Sequence, residues 1–445
     1  MKNREIDQYL QDKLKIGTNF DIVRGIVNDN YVVYYLSSLI SNNILQLIYQ
    51  LINKKEGYIG NSQKYDSIDN VIVSILSGLL FVIPLDDTEP YLIETREYPT
   101  RGISEPETEQ TIRGSKDGFC ESIITNVALI RRRIRNENLI FEKYQIGNYS
   151  KCDIVLSYIK GKVDDSYLQT LRNRINSIKN DVESIIMSDR SLEEMLFNQK
   201  YNLFPLVKYS ERPDVVSLNL LKGKITIVCD NSSSVIITPV SLFEHYRHIE
   251  EYRQNPIVGT FLRCIRFFAI IFSLLIIPLW MCAIIENNDK FFMIPNGIKF
   301  DIIFYQVLVV ELMIEILRIA TIHTPNKLSS TMGLVAALVI GQFAVQIGIF
   351  TKEIILYSSL SAIGGFANPS YELSLSNKLI KIFYIICVGL FGKIGLIISM
   401  FISLIYILNI NKFEYPLLYP LIPFAQKEFM RFFSRFGKSD KKRVR

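Results

Sequence analysis

Residues 101–135 read RGISEPETEQTIRGSKDGFCESIITNVALIRRRIR, and the rest of the chain is arranged around them. The stretch opens on Glu105, Glu107 and Glu109 and passes a turn bracketed by Gly114 and Gly118. It closes in an apolar run ending Arg131-Arg132-Arg133-Ile134-Arg135. Carboxylates ahead of a helix and arginines in its last turn both complement the helix dipole, so the stretch predicts a polar connector feeding a helix. The arginines are candidate partners for the three glutamates, and together they form a candidate subunit-contact face.

The chain is patterned alike on both sides of this connector. Upstream, YVVYYL from Tyr31 is β-branched and aromatic, and Ser41-Asn42-Asn43 introduces ILQLIYQLI at helical spacing. A second helix over 68–76, Gly78, the strand LLFVIPL, a turn at Asp86-Asp87 and the strand YLIETREY follow. Downstream come a strand over 154–159, a helix capped by Asp164-Asp165, and another helix around 192–197. Pro213-Asp214 then opens a helix to Leu221, and Gly223, KITIVC, a turn at Asp230-Asn231 and SVIITP complete the pattern. A β-α-α-β-β order used twice predicts an α+β region of two similar modules, residues 1–100 and 139–255, joined by 101–138. The N-terminus MKNREIDQYLQDKLKIG has no apolar signal run, so this region is expected to be cytoplasmic.

Beyond residue 255 the composition changes. A chain of 445 residues that is 49% hydrophobic is too apolar for an ordinary soluble protein, and the excess lies here. The expectation for 256–412 is an α-helical transmembrane domain with about four spans, over 267–285, 302–320, 330–350 and 383–408, plus a re-entrant segment over 354–368. Arg263 and Arg266 ahead of the first span set its start in the cytoplasm. Residues 413–445 form a basic amphipathic tail suited to an anionic cytoplasmic leaflet, which leaves both termini inside.

Polar side chains within apolar spans are the candidate functional residues, because a charge at mid-bilayer costs about 3 kcal/mol unless it is paired. Glu311, Glu315 and Arg318 share one helical face, Gln342 and Gln346 share another, and Lys393 falls near the centre of 383–408. This set is a candidate pore lining or intramembrane polar network, with Glu315 neutralised by Arg318 and Glu311 by Lys393. The Gly114–Gly118 turn is a weak anion-cradle candidate, and His245, His248, Glu244 and Glu251 are a weak metal candidate. No nucleophile triad or phosphate-binding glycine loop is visible. The six scattered cysteines suggest neither disulfides nor zinc.

The 101–135 motif, with Glu211-Arg212-Pro213-Asp214, Glu311-Leu312, Glu315-Ile316-Leu317-Arg318, Ala337–Gln342 and Asn368-Pro369-Ser370-Tyr371, closely resembles the A subunit of the GerA-type spore germination receptors. The resemblance departs from the family at Ser37-Ser38-Leu39, where the family has Asp-Gly-Leu. It implies a multi-pass protein of the endospore inner membrane that associates with a transporter-like B subunit and a lipoprotein C subunit. It also implies a homo-oligomer that conducts ions. The modest net charge of +6, its basic residues gathered beside apolar spans, suits a membrane face and no nucleic-acid partner, and with no catalytic constellation visible neither an enzymatic role nor a cofactor is expected. An accessory, SpoVAF-like paralogue without its own germinant specificity is the alternative.

Overall fold

Strand Tyr31–Leu36 takes the second place in an antiparallel sheet, and strand Cys152–Ile159 takes the second place in another. Both sheets have five strands. A computed structural model describes residues 3–40, 45–46, 50, 62–64, 68–86, 88–95, 114–148, 150–178, 188–197, 202–287, 292–295, 297–323, 342–410 and 416–433. Glu105, Glu107, Glu109 and most of the 330–350 span lie outside the described residues. Two compact units result: Met1–Tyr201 with Leu206–Val240, and Asn202–Pro205 with Ser241–Arg445.

The first unit begins with α1 (Asn3–Leu14), β1 (Ile22–Val27), β2 (Tyr31–Leu36), β3 (Ser62–Lys64), α2 (Ile68–Ile75), β4 (Leu80–Pro84) and β5 (Tyr91–Ile93). It continues with α3 (Ile123–Arg133), β6 (Leu139–Ile146), β7 (Cys152–Ile159), α4 (Asp165–Ile178), α5 (Ser188–Phe197), β8 (Lys208–Ser210), α6 (Pro213–Leu221), β9 (Ile225–Cys229) and β10 (Val235–Thr238). The sheet orders are β1-β2-β4-β5-β3 and β6-β7-β9-β10-β8, the same topology twice. The shift that carries Gly78 to Gly223 also carries Ile68 to Pro213. It carries the pair Leu80↔Ile93 onto Ile225↔Thr238 as well, so the second half of each module matches without a gap.

Alternation along β2 explains the packing. Val32 and Tyr34 join Ile6, Leu10, Ile75 and Phe81 in one core, while Val33 faces Leu80 and Val82 on the opposite side. A strand covered on both faces needs an unbroken apolar run, and the all-buried LFVIP of β4 supplies one. Strands β1 and β6 are not expected from the sequence pattern. Their interiors carry Arg24 and Gly25, and Glu142, Lys143 and Gln145, which break the apolar pattern because these strands lie at sheet edges.

The second unit holds α7 (Leu242–His245), α8 (Glu250–Arg253), α9 (Pro256–Ile285), α10 (Phe300–His323), α11 (Ala344–Gln346), α12 (Lys352–Phe366), α13 (Tyr371–Asn409) and α14 (Gln426–Phe433). Among the described residues, α9 and α13 are long and apolar enough to cross a membrane by length and composition. The expected single span over 383–408 is replaced by something different. At Gly392 the backbone takes φ 61 and ψ −146, a region essentially closed to residues with a Cβ, and the helix folds back on itself. Leu203 demonstrates this: its N–H donates to the Tyr406 hydroxyl at 2.8 Å, and its carbonyl accepts from Ser376. In a straight helix those two side chains would stand about 45 Å apart. Tyr384 bonds Ser403, and a Cβ on Gly395 would meet the Cys387 carbonyl. Element α13 is therefore a hairpin with arms 371–391 and 393–409.

The other helices align along this hairpin. Phe304 of α10 lies against Gly389, Glu311 reaches Lys378 and Lys381, and the Arg318 guanidinium lies 5.4 Å from the centre of the Tyr371 ring, so α10 runs antiparallel to the first arm. Tyr357 of α12 stacks near Trp280, Ser361 bonds the Ser273 carbonyl, and Gly364 meets Ala269. Helix α12 is thus an unbroken helix antiparallel to α9, and Gly364 permits the close approach.

Candidate functional site

Helix α3 presents the connector's arginines. Its N-terminus is capped by Ser122, and the Ile123 N–H donates to the Asp230 carboxylate at 3.3 Å. Asn126 is fully buried; its side chain accepts from the Cys120 N–H and donates to the Cys120 carbonyl, pinning the preceding turn. The anion-cradle expectation for Gly114–Gly118 is corrected here. Asp117 of that turn is ion-paired with Arg133 at 2.6 Å, and the helix N-terminus takes its negative partner from Asp230.

The expected subunit-contact face divides. Arg131 is fully buried and does not face outward. Its Nε lies 3.1 Å from Asp21, its Nη1 donates to the carbonyls of Asn136 and Leu139, and its guanidinium lies 4.7 Å from the centre of the Phe141 ring. It fastens the first module to the second, beside the Phe20 N–H that donates to the Phe141 carbonyl. Arg133 is committed to Asp117 and Ser115, while Arg132 and Arg135 are exposed. Arg212, only 1% exposed, binds Asp214 at 2.9 Å and the Ser115 carbonyl at 3.0 Å. Residues 114–135 and the ERPD motif are therefore two sides of one internal lock.

Two surface networks of this unit shift titrations. Burial would push the Glu142 carboxyl up, but hydrogen bonds from Arg172, Tyr158 and Tyr144 bring it below the usual carboxylate range. Burial and the bond to that carboxylate hold the Tyr144 phenol up at about 12. In the other module, Asp7 shows the same outcome: burial opposes its charge, and Arg24 and Tyr34 outweigh it.

In the helical unit, Glu311 is 1% exposed and lies 2.6 Å from Lys378 Nζ and 2.7 Å from Lys381 Nζ. Glu315 pairs with Arg318, one helical turn on, and lies 3.9 Å from Lys378. Lys381 also donates to the Ser361 hydroxyl at 2.9 Å, and Ser361 donates to the Ser273 carbonyl at 2.7 Å. One cluster thus ties α9, α10, α12 and the first arm of α13 together, with three cations to two carboxylates.

The expected Glu311–Lys393 pair does not form. Lys393 sits beside the hairpin turn and pairs with Glu286 at 2.8 Å, both substantially exposed. The break at Gly392 moves Lys393 from mid-helix to the end of an arm, where Glu286 caps α9. The lysines that do pair with Glu311 lie ahead of the span that the apolar pattern starts at Phe383. Lys378 and Lys381, three apart in LSNKLIKIF, carried a signal that matches the four-residue spacing of Glu311 and Glu315. Gln342 and Gln346 are exposed on the surface of this unit. The histidine candidate dissolves: His245 is buried, His248 accepts from the Glu250 N–H at 3.2 Å, and Glu251 is held by Arg263 and Arg266.

Comparison with known proteins follows this architecture. The family described as Bacillus/Clostridium GerA spore germination protein matches residues 6–444. Stage V sporulation protein AF of Bacillus subtilis (strain 168) is 39% identical over 97% of this chain and 92% of its own length. Spore germination protein KA of the same organism is 30% identical over 95% of this chain and 79% of its own length. Among solved structures, the N-terminal domain of the A subunit of the Bacillus megaterium spore germinant receptor GerK3 matches 54% of this chain and 96% of that chain. Its identity is 26% and its TM-score 0.39. Across nearly its whole length, the chain belongs to the Bacillus/Clostridium GerA spore germination protein family.

Proposed function

We propose that this chain is a spore-membrane germination protein whose helical unit oligomerises around an ion path. The observation that carries the ion path is the division of polar groups. Glu311 and Glu315 are paired inside the unit with Lys378, Lys381 and Arg318, whereas Gln342 and Gln346 remain exposed beside the exposed apolar side chains of Phe343 and Ile347. Exposed amides at membrane depth need a partner copy or a water-filled lumen. On this reading the Glu311 cluster is the structural lock and Gln342 and Gln346 are the lining. The inner spore membrane, both termini on the core side, and association with B and C subunits belong to the same proposal for a receptor A subunit.

The 39% identity to stage V sporulation protein AF, against 30% to spore germination protein KA, favours the accessory variant of this function, without a germinant specificity of its own. The test is ion flux from liposomes holding the purified full chain, with oligomers scored by crosslinking. Gln342→Ala together with Gln346→Leu is expected to change flux severalfold while crosslinking stays intact. Flux no greater than from empty liposomes, with the protein inserted, would reject the ion path.

A further inference from the structure

The ion-pair cluster opens into a small cleft of about 50 Å³ between α9, α10, α12 and α13, lined in part by Glu315, Arg318, Ser361, Asn368, Lys378 and Lys381. Its charges do not balance, since three cations face two carboxylates. Two of its lining atoms, Arg318 Nε and Asn368 Nδ2, are buried without an acceptor, and both are donors. The other end of the Asn368 amide is committed, as Oδ1 accepts from the Ser370 N–H at 3.3 Å. A surplus of positive charge with orphaned donors calls for a ligand that is anionic and rich in acceptor oxygens. A phosphate group meets both needs, and arginine beside lysine is the pairing that recognises it. The cleft also has an apolar side: Leu274, Ile314 and Phe366 line it, and Phe366 is 66% exposed.

We propose that this cleft binds a phosphate group, supplied by the headgroup of an anionic phospholipid whose chains lie along Leu274, Ile314 and Phe366. Arg318, Asn368 and Lys378 are its donors, as in basic pockets between membrane helices that take lipid headgroups. The proposal rests on the helical unit being embedded in a membrane.

The full chain is reconstituted in nanodiscs of mixed phosphatidylglycerol and phosphatidylcholine, and retained lipid is counted by native mass spectrometry. A parallel arm measures thermal protection of the detergent-purified chain by inorganic phosphate against chloride. Phosphatidylglycerol is expected to be retained preferentially, and Asn368→Leu or Arg318→Gln to lower that preference roughly fivefold each. Asn368→Leu removes no ion pair, so it remains informative where Arg318→Gln fails to fold. Protection by inorganic phosphate without a lipid preference supports the phosphate site and assigns it to a free anion. No preference in either arm from a correctly inserted chain overturns the site, whereas failure to insert overturns the membrane reading instead.

Discussion

At the scale of single residues, the most consequential placement is Arg131, which the sequence offers as one of a run of surface arginines. Its side chain and that of Asp21 are both fully buried. An ion pair removed from water contributes little net stability, but one partner left alone is costly. Arg131→Met is therefore expected to destabilise the sheet unit by about 3–5 kcal/mol, and Asp21→Leu by a similar amount. The double substitution should cost clearly less than the sum of the two, as measured by denaturant unfolding. Additive losses would mean that the pair does not couple the modules. The sequence showed that Arg131 closes a helix; it carried no sign that Asp21, far upstream, would be its partner.

At the scale of elements, the hairpin at Gly392 separates the structure from the sequence reading. VGLFGKIG contains three glycines within seven residues, yet glycine is common in membrane helices, and neither proline nor a polar run marks the turn. The positive φ at Gly392 becomes visible only in the backbone. Tyr384→Cys combined with Ser403→Cys is expected to form an intramolecular crosslink with a bifunctional thiol reagent of roughly 10 Å span in the Cys387→Ala background, since the native bond runs the length of a tyrosine side chain and leaves the Cβ atoms too far apart for a direct disulfide. A continuous helix would hold those positions about 28 Å apart and give none. Pairing of Lys393 with Glu286 follows from this fold-back, whereas Glu311 meets Lys378 and Lys381 because α10 runs antiparallel to the first arm.

At the scale of the whole molecule, each module holds a carboxylate stabilised by cationic and phenolic neighbours, Asp7 of α1 with Arg24 and Tyr34, and Glu142 of β6 with Arg172 and Tyr158. Both carboxyls are held below their usual range. A lowered folded value stabilises at pH above the unfolded value, roughly 3.9 for Asp and 4.3 for Glu, and the benefit is lost as pH falls through the folded value. The sheet unit should therefore lose thermal stability below about pH 4, and Asp7→Asn with Glu142→Gln should flatten that slope. Trp280, the single tryptophan, lies in the helical unit, so its fluorescence follows that unit separately from the tyrosine-rich sheets. An unchanged slope in the double variant would discount both networks.

The sequence by itself determined the duplicated module, since alternation in YVVYYL and the apolar runs LFVIP and ITIVC are local patterns that strand geometry demands. It also determined that the chain beyond residue 255 is helical and apolar, and which polar residues there need partners. Tertiary structure alone decided the partners. Asp21 meets Arg131, and Lys378 and Lys381 meet Glu311, because the contact between the two modules and the antiparallel packing of α10 on the first arm of α13 bring together residues far apart in the chain. Charge neutralisation in a low-dielectric interior acts over a few ångströms of space, and periodicity along a sequence holds no record of that distance.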